Sequence, residues 1–233
     1  MERKGIAYTA EQIDALLRRG ELERLGMGSR RACYRLPGTD LCVKCYRSDE
    51  EIEEGKYPGS QPITPLSSTV LREIHRCRFD EQRNTCCQEH EYWNSLKEHL
   101  PKDLMSVFPS SMEKKRLPSR GWCVVEELVM NADGSPVVKF HEALRGADRV
   151  LCANLLDKFG RLETELARFA VRMYDPQNVL VQRCLDGSFR MRIADFEPVS
   201  RTLISLDRAP FIVRMKIRRR FARYRRVFGI HGV

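Results

Sequence analysis

No run of about 18 apolar residues occurs in this 233-residue chain, so a membrane-spanning helix is not expected. The first residues, Met1-Glu2-Arg3-Lys4-Gly5-Ile6-Ala7, lack an apolar signal core, and the reading is a cytoplasmic protein. Acidic residues are missing after Asp207. Over 208–226 the chain instead carries nine basic residues, Arg208, Arg214, Lys216, Arg218, Arg219, Arg220, Arg223, Arg225 and Arg226. The formal charge of +9 therefore sits in one C-terminal segment, because the other 32 basic residues match the 32 acids. This weakens any argument for nucleic-acid binding by the whole chain. With 42% hydrophobic and 31% charged residues, the chain is neither disordered nor membrane-embedded in composition. Its length suits one medium domain or two small lobes.

Metal-ligand spacing is also scarce. Nine cysteines, an odd count without a secretory signal, fit reduced thiols. Cys42-x-x-Cys45 lies in an apparent strand, Asp40 to Tyr46, where residues three apart point to opposite faces, and no second pair with zinc spacing follows. The cysteines read as small buried hydrophobes.

The pattern predicts a helix over 9–19, opened by the capping box Thr9-x-x-Gln12 and closed at Gly20. Residues 22–46 read as strand, turn, strand, turn, strand. An acidic and then Pro-, Gly-, Ser- and Thr-rich stretch, 47–68, reads as a mobile loop. Residues 70–99 read as helical, Trp122–Val129 as an apolar strand, and 147–170 as one or two amphipathic helices. A hairpin follows, 178–182 with 189–193, turning at Asp186-Gly187. The expected fold class is α+β. Residues 1–21 form an N-terminal helix, 22–130 a β-rich lobe and 131–233 a reduced helical lobe, with a cleft between the lobes.

Four features fit chemistry in such a cleft. Gly26-x-Gly28 sits in a strand–turn–strand, where glycines let backbone amides approach phosphate oxygens; a plain hairpin turn is the alternative. Lys44 lies at the centre of an apolar strand, where its ammonium needs a partner unless its stem snorkels from an edge. Asn178, after Asp175-Pro176-Gln177, stands at the mouth of a strand where a turn fixes its amide. Asp195, in Ala194-Asp195-Phe196-Glu197, ends the second hairpin strand beside Asn178, and either shares Mg²⁺ with it or caps a turn.

In order and topology these features resemble the protein-kinase-like fold. More closely, the chain resembles the bacterial YrbL family, the PhoP regulatory network proteins. The similar stretches are Leu25–Gly28 through Ala32–Arg35, Leu41–Lys44, Pro176–Leu180 and the basic segment around Arg219-Arg220-Phe221, and the resemblance spans about residues 22–228. It implies a small bilobal kinase-like domain that binds ATP and Mg²⁺, an atypical kinase or pseudokinase in bacterial stress regulation. On this resemblance Lys44 contacts the α/β-phosphates and pairs with Glu89 on a helix, with Glu91 as the second choice. Gly26 and Gly28 cover the phosphates, Asn178 and Asp195 hold Mg²⁺, and Glu126, Glu127, Leu128 and Val129 form the hinge that reads adenine through backbone groups.

The departures are specific. The catalytic aspartate of protein kinases, five residues before the metal-binding asparagine, is replaced by Met173, whose thioether cannot accept a hydroxyl proton. Asp175 is the nearest carboxylate, and three roles stand for it: reaching a substrate hydroxyl, holding a cation, or capping the turn. Glu197 replaces the glycine after Asp195-Phe196, and Arg31 replaces the third glycine of the loop. The stretch after Glu197 is too short for the usual activation segment and peptide-docking helices.

Val213, Ile217, Phe221, Tyr224 and Phe228 recur on one helical face, with arginines elsewhere and Gly229 as a stop. The expectation is a helix over 209–228 docked by its apolar stripe. Arg214, Arg218, Arg219, Arg220 and Arg223 would then meet an anionic lipid surface, nucleic acid or an acidic partner, which is the alternative, non-catalytic function.

Overall fold

The computed structural model describes residues 8–28, 30–53, 68–172, 175–196 and 209–230. The chain is α+β and divides into two compact units, Met1–Trp93 with Ser110–Leu128, and Asn94–Pro109 with Val129–Val233.

The first unit opens with α1 (Ala10–Arg18), whose capping box is formed by Thr9 and Gln12. Strands β1 (Arg24–Met27), β2 (Arg31–Arg35) and β3 (Leu41–Tyr46) follow. Next come α2 (Asp49–Glu53), α3 (Ser68–Arg78) and α4 (Thr85–His99), the last crossing the division between units. Strands β4 (Met112–Leu117) and β5 (Gly121–Glu127) complete an antiparallel sheet of order β1-β2-β3-β5-β4. Period-two alternation gives the sheet two different faces. Ile13 and Leu17 of α1 pack with Ala32, Tyr34, Val43, Cys45, Cys123 and Val125 on one face. Cys42, Lys44, Val124 and Glu126 alternate with these and point to the other. Cys42 and Cys45 thus lie on opposite faces. Residues 1–21 are not a separate segment, because Asp14 of α1 accepts from the Ser119 amide at 2.9 Å and α1 closes the core of the sheet.

The expectation of a mobile loop is corrected in part. The 47–68 loop begins as a helix: α2 is held where Glu51 meets Tyr34 and Arg120 and where Arg78 reaches Asp49 at 2.9 Å. Residues 54–67 lie outside the described residues. The charged stretch Met112–Leu117 is a strand. As the edge of the sheet it tolerates Lys114 and Arg116, both over the Trp122 ring. Gly121 is required where β5 starts. It has φ +72°, and a Cβ there would overlap the Arg78 carbonyl.

The second unit contains α5 (Lys102–Met105), β6 (Val138–Lys139), α6 (Phe140–Arg145) and α7 (Arg149–Arg168), the last capped by Asp148. The hairpin β7 (Val179–Arg183) and β8 (Phe189–Ile193) then extends a sheet of order β6-β7-β8. Residues 94–109, expected in the first lobe, belong with this unit. The Ile193 amide donates to the Val107 carbonyl at 2.7 Å and Arg192 to that of Phe108 at 3.1 Å. Helix α8 (Pro210–Val227) buries Val213, Ile217, Phe221 and Tyr224 and packs along α7. The docked stripe read from the sequence is what forms. Phe159 of α7 stacks on Phe140 with centroids 4.0 Å apart and meets Phe221 at 4.9 Å.

Five of the nine cysteines are buried: Cys42, Cys45, Cys86, Cys87 and Cys123. Burial pushes the Cys45 and Cys87 thiols up to about 12 and Cys86 to about 11. Iodoacetamide at about pH 8 is therefore expected to label Cys33, Cys77, Cys152 and Cys184 in the native protein and to spare the other five. Mass spectrometry of the labelled protein checks this. Labelling of Cys45 as fast as Cys184 would contradict the packing.

Candidate functional site

The site in the first unit is built on Lys44. Register pairs Lys44 with Cys33 of β2 and Val124 of β5, so β3 is an inner strand and no edge is available for snorkelling. The helix that faces Lys44 is positioned by Asn84. Its side-chain oxygen accepts from the Cys86 amide at 2.9 Å and the Cys87 amide at 3.3 Å, capping α4. Its Nδ2 donates to the carbonyls of Arg78 at 3.1 Å and Trp122 at 3.3 Å, tying the cap to α3 and β5. From that start, Cys86 and Glu89 fall on one helical face. The Cys86 thiol donates to the Lys44 carbonyl at 3.5 Å.

Glu89 is fully buried and bridges two cations. Its Oε1 lies 3.4 Å from Lys44 Nζ, and its Oε2 lies 2.5 Å from Arg31 Nη1. Lys44 Nζ lies closer still to Glu126 Oε1, at 2.7 Å. Exposures of 8%, 8%, 0% and 3% for Arg31, Lys44, Glu89 and Glu126 make this a dry chain of alternating charge, formally neutral. Burying any one of these ions alone costs several kcal/mol, so the four hold one another in place. Of the two carboxylates weighed for Lys44, the structure brings Glu89; Glu91 is exposed.

Arg31 and the partnership of Glu126 with Lys44 were not legible as site features. Arg31 occupies the position of the loop's missing third glycine, but it is a β2 residue on the pleat face shared with Cys33, from which it reaches α4. Beside the backbone role expected for it, Glu126 pairs through its side chain with Lys44. The one available signal was a charged residue inside each of two apolar strands. Two further hinge amides are already used: Glu127 donates to the Ser111 carbonyl at 3.1 Å and Leu128 to that of Asp40 at 2.8 Å. Val129 falls in the second unit and is buried.

The glycine pair forms a hairpin. Gly26 lies within β1 opposite Cys33, beside a register shift, and the Gly28 amide donates to the Arg31 carbonyl at 2.7 Å. That amide is therefore engaged inside the turn and is not a phosphate donor. A Cβ at Gly26 would meet nothing within 4 Å, so the fold itself does not demand glycine there.

The remaining candidates lie in the second unit. Asp175 Oδ1 accepts from the Gln177 amide at 3.0 Å and caps the single 3₁₀ turn Pro176–Asn178, the capping role among the three weighed for it. Asn178 Nδ2 donates to the Asp195 carbonyl at 3.0 Å, and the Ala194 amide donates to the Asn178 carbonyl at 3.2 Å. The hairpin thus brings Asn178 and Asp195 together. Phe196 is buried edge-on against Phe108, with centroids 5.2 Å apart. Met173 and Glu197 lie outside the described residues. Among the described residues no group of three or more His, Cys, Asp or Glu gathers as a metal centre. Asn178 Oδ1 and the Asp195 carboxylate are hard oxygen donors of the kind Mg²⁺ takes, and Mg²⁺ completes its shell from phosphates and water, so two residues suit it. Compared with known proteins, the chain matches no family model and no curated protein.

Proposed function

We propose that this chain binds Mg-ATP as a protein-kinase-like protein of the YrbL type, an atypical kinase or pseudokinase in bacterial stress regulation. The observation that carries this reading is the buried ion pair between Lys44 on β3 and Glu89 on α4. In protein kinases a lysine on the third strand, paired with a helix glutamate, contacts the nucleotide phosphates. In this chain Glu89 and Arg31 would hold the Lys44 stem, and the phosphates would compete with Glu126 for its ammonium. Asn178 and Asp195 would hold Mg²⁺, which neutralises phosphate charge when bound. With a thioether at Met173, phosphoryl transfer would fall to Asp175, whose capping bond fixes its carboxylate.

Thermal unfolding with and without Mg-ATP tests the reading. At a ligand concentration of about 100 Kd the native state gains about 2.7 kcal/mol, which raises the midpoint by several degrees. Lys44→Met is expected to abolish most of that rise. No rise in the unmodified chain would end the proposal. Any phosphate-transfer turnover is expected to fall in Asp175→Asn, which keeps a capping oxygen but loses the charge. Full turnover in that variant would remove Asp175 from the chemistry.

A further inference from the structure

The apolar stripe of α8 is spent on α7, which leaves the opposite side of the helix to be explained. Phe211, Met215, Arg219, Ala222 and Arg226 succeed one another at four, four, three and four residues, so they form one line along that side. All five are exposed, Phe211 at 66% and Met215 at 57%. Arg223 flanks the line and is also exposed. Some basic residues of α8 are engaged within the unit: Arg225 pairs with Glu163, and Arg214 donates to the Arg168 carbonyl at 3.3 Å. Among the described residues no carboxylate pairs with Arg219, Arg220, Arg223 or Arg226.

We propose that the outward side of α8 is a docking surface for an anionic phospholipid bilayer. The surface combines two chemistries that this partner satisfies together. Uncompensated arginines match the negative potential of the headgroups, and two large apolar side chains in line with them reach the acyl boundary of a helix lying in the plane of the bilayer. A nucleic acid would satisfy the arginines and leave Phe211 and Met215 in water. An acidic protein would need a pocket for them. Binding is peripheral, because no described helix is long and apolar enough to cross a membrane. Docking on α7 is a precondition, since it fixes which side of α8 faces out.

The test is co-sedimentation of the full chain with phosphatidylcholine vesicles, with and without about one-third phosphatidylglycerol. Binding is expected only to the anionic vesicles and is expected to weaken with salt. Replacing Arg219, Arg223 and Arg226 by glutamine should weaken binding by roughly fivefold per charge. Phe211→Ser with Met215→Ser should weaken it at least about tenfold and leave the salt dependence in place. These side chains lie away from the α7 contact, so the unfolding midpoint should hold in both variants. Equal binding to neutral vesicles, no binding to anionic ones, or unchanged binding in either variant would overturn the proposal. So would retention on duplex DNA that needs the arginines and ignores Phe211 and Met215. Each outcome is independent of nucleotide binding.

Discussion

Replacing Glu89 by leucine is expected to lower the unfolding free energy by about 3–5 kcal/mol. Glu89 is fully buried and answers two cations at once, Arg31 at 2.5 Å and Lys44 at 3.4 Å. Without it, Arg31 and Lys44 lose the carboxylate they share. Lys44 keeps Glu126 at 2.7 Å, while Arg31 loses its 2.5 Å contact. A second change follows from this asymmetry. Adding Arg31→Leu to Glu89→Leu removes a cation together with the carboxylate it pairs with and should recover part of the loss, a coupling of about 2 kcal/mol. Glu91→Ala, on the exposed side of the same helix, should change stability by no more than about 0.5 kcal/mol. Urea unfolding of these three variants and of Arg31→Leu alone measures all of this. A loss below about 1 kcal/mol in Glu89→Leu, or a double variant no better than the single one, would show that the charge chain is not a unit.

Phe159→Ala is expected to cost a similar amount in the second unit, about 3–5 kcal/mol. The ring is fully buried where α6, α7 and α8 converge, stacked on Phe140 at 4.0 Å and within 5.7 Å of Tyr224. Truncation leaves a cavity of nearly a whole ring among aromatic walls that cannot collapse into it, and it also removes ring pairing worth about 0.5–1.5 kcal/mol. Phe159→Leu fills most of that volume and should lose less than half as much. The consequence extends beyond stability. Helix α8 packs on the turn Pro176–Asn178 as well as on α7, so loosening it loosens the support of Asn178. Calorimetric unfolding of both variants checks the order. A loss below about 2 kcal/mol in Phe159→Ala would mean that α8 is held elsewhere.

Several elements were readable from local pattern alone. The capping box at Thr9, the turn at Asp186-Gly187, the stripe of α7 and the stripe of α8 each need only a few neighbouring residues to be recognised, and each forms where expected. The 47–68 stretch misled, and β4 had no assignment, for the opposite reason. Their residues favour loop and solvent locally, and long-range partners decide them: Arg120 and Tyr34 on Glu51 for α2, and the free edge of β5 for β4. Within the site, Lys44 stood out because a lysine in an apolar strand must be answered. Helix periodicity could not choose between Glu89 and Glu91, because the choice depends on where Asn84 starts the helix.

The sequence by itself determined several of the elements and the charge pattern: which strand carries the lysine, which helix faces are apolar, and that the positive excess belongs to one segment. Only the tertiary structure decided the company those residues keep. Strand order β1-β2-β3-β5-β4 places Arg31, Lys44 and Glu126 on one face beneath α4 and turns Gly28 into a hairpin amide already engaged. The docking of α8 likewise decides which residues face outward. The physical reason is the same in both cases. Periodicity fixes which side chains share a face, but the free energy of burying a charge or a ring depends on what lies opposite, and that comes from residues remote in the chain.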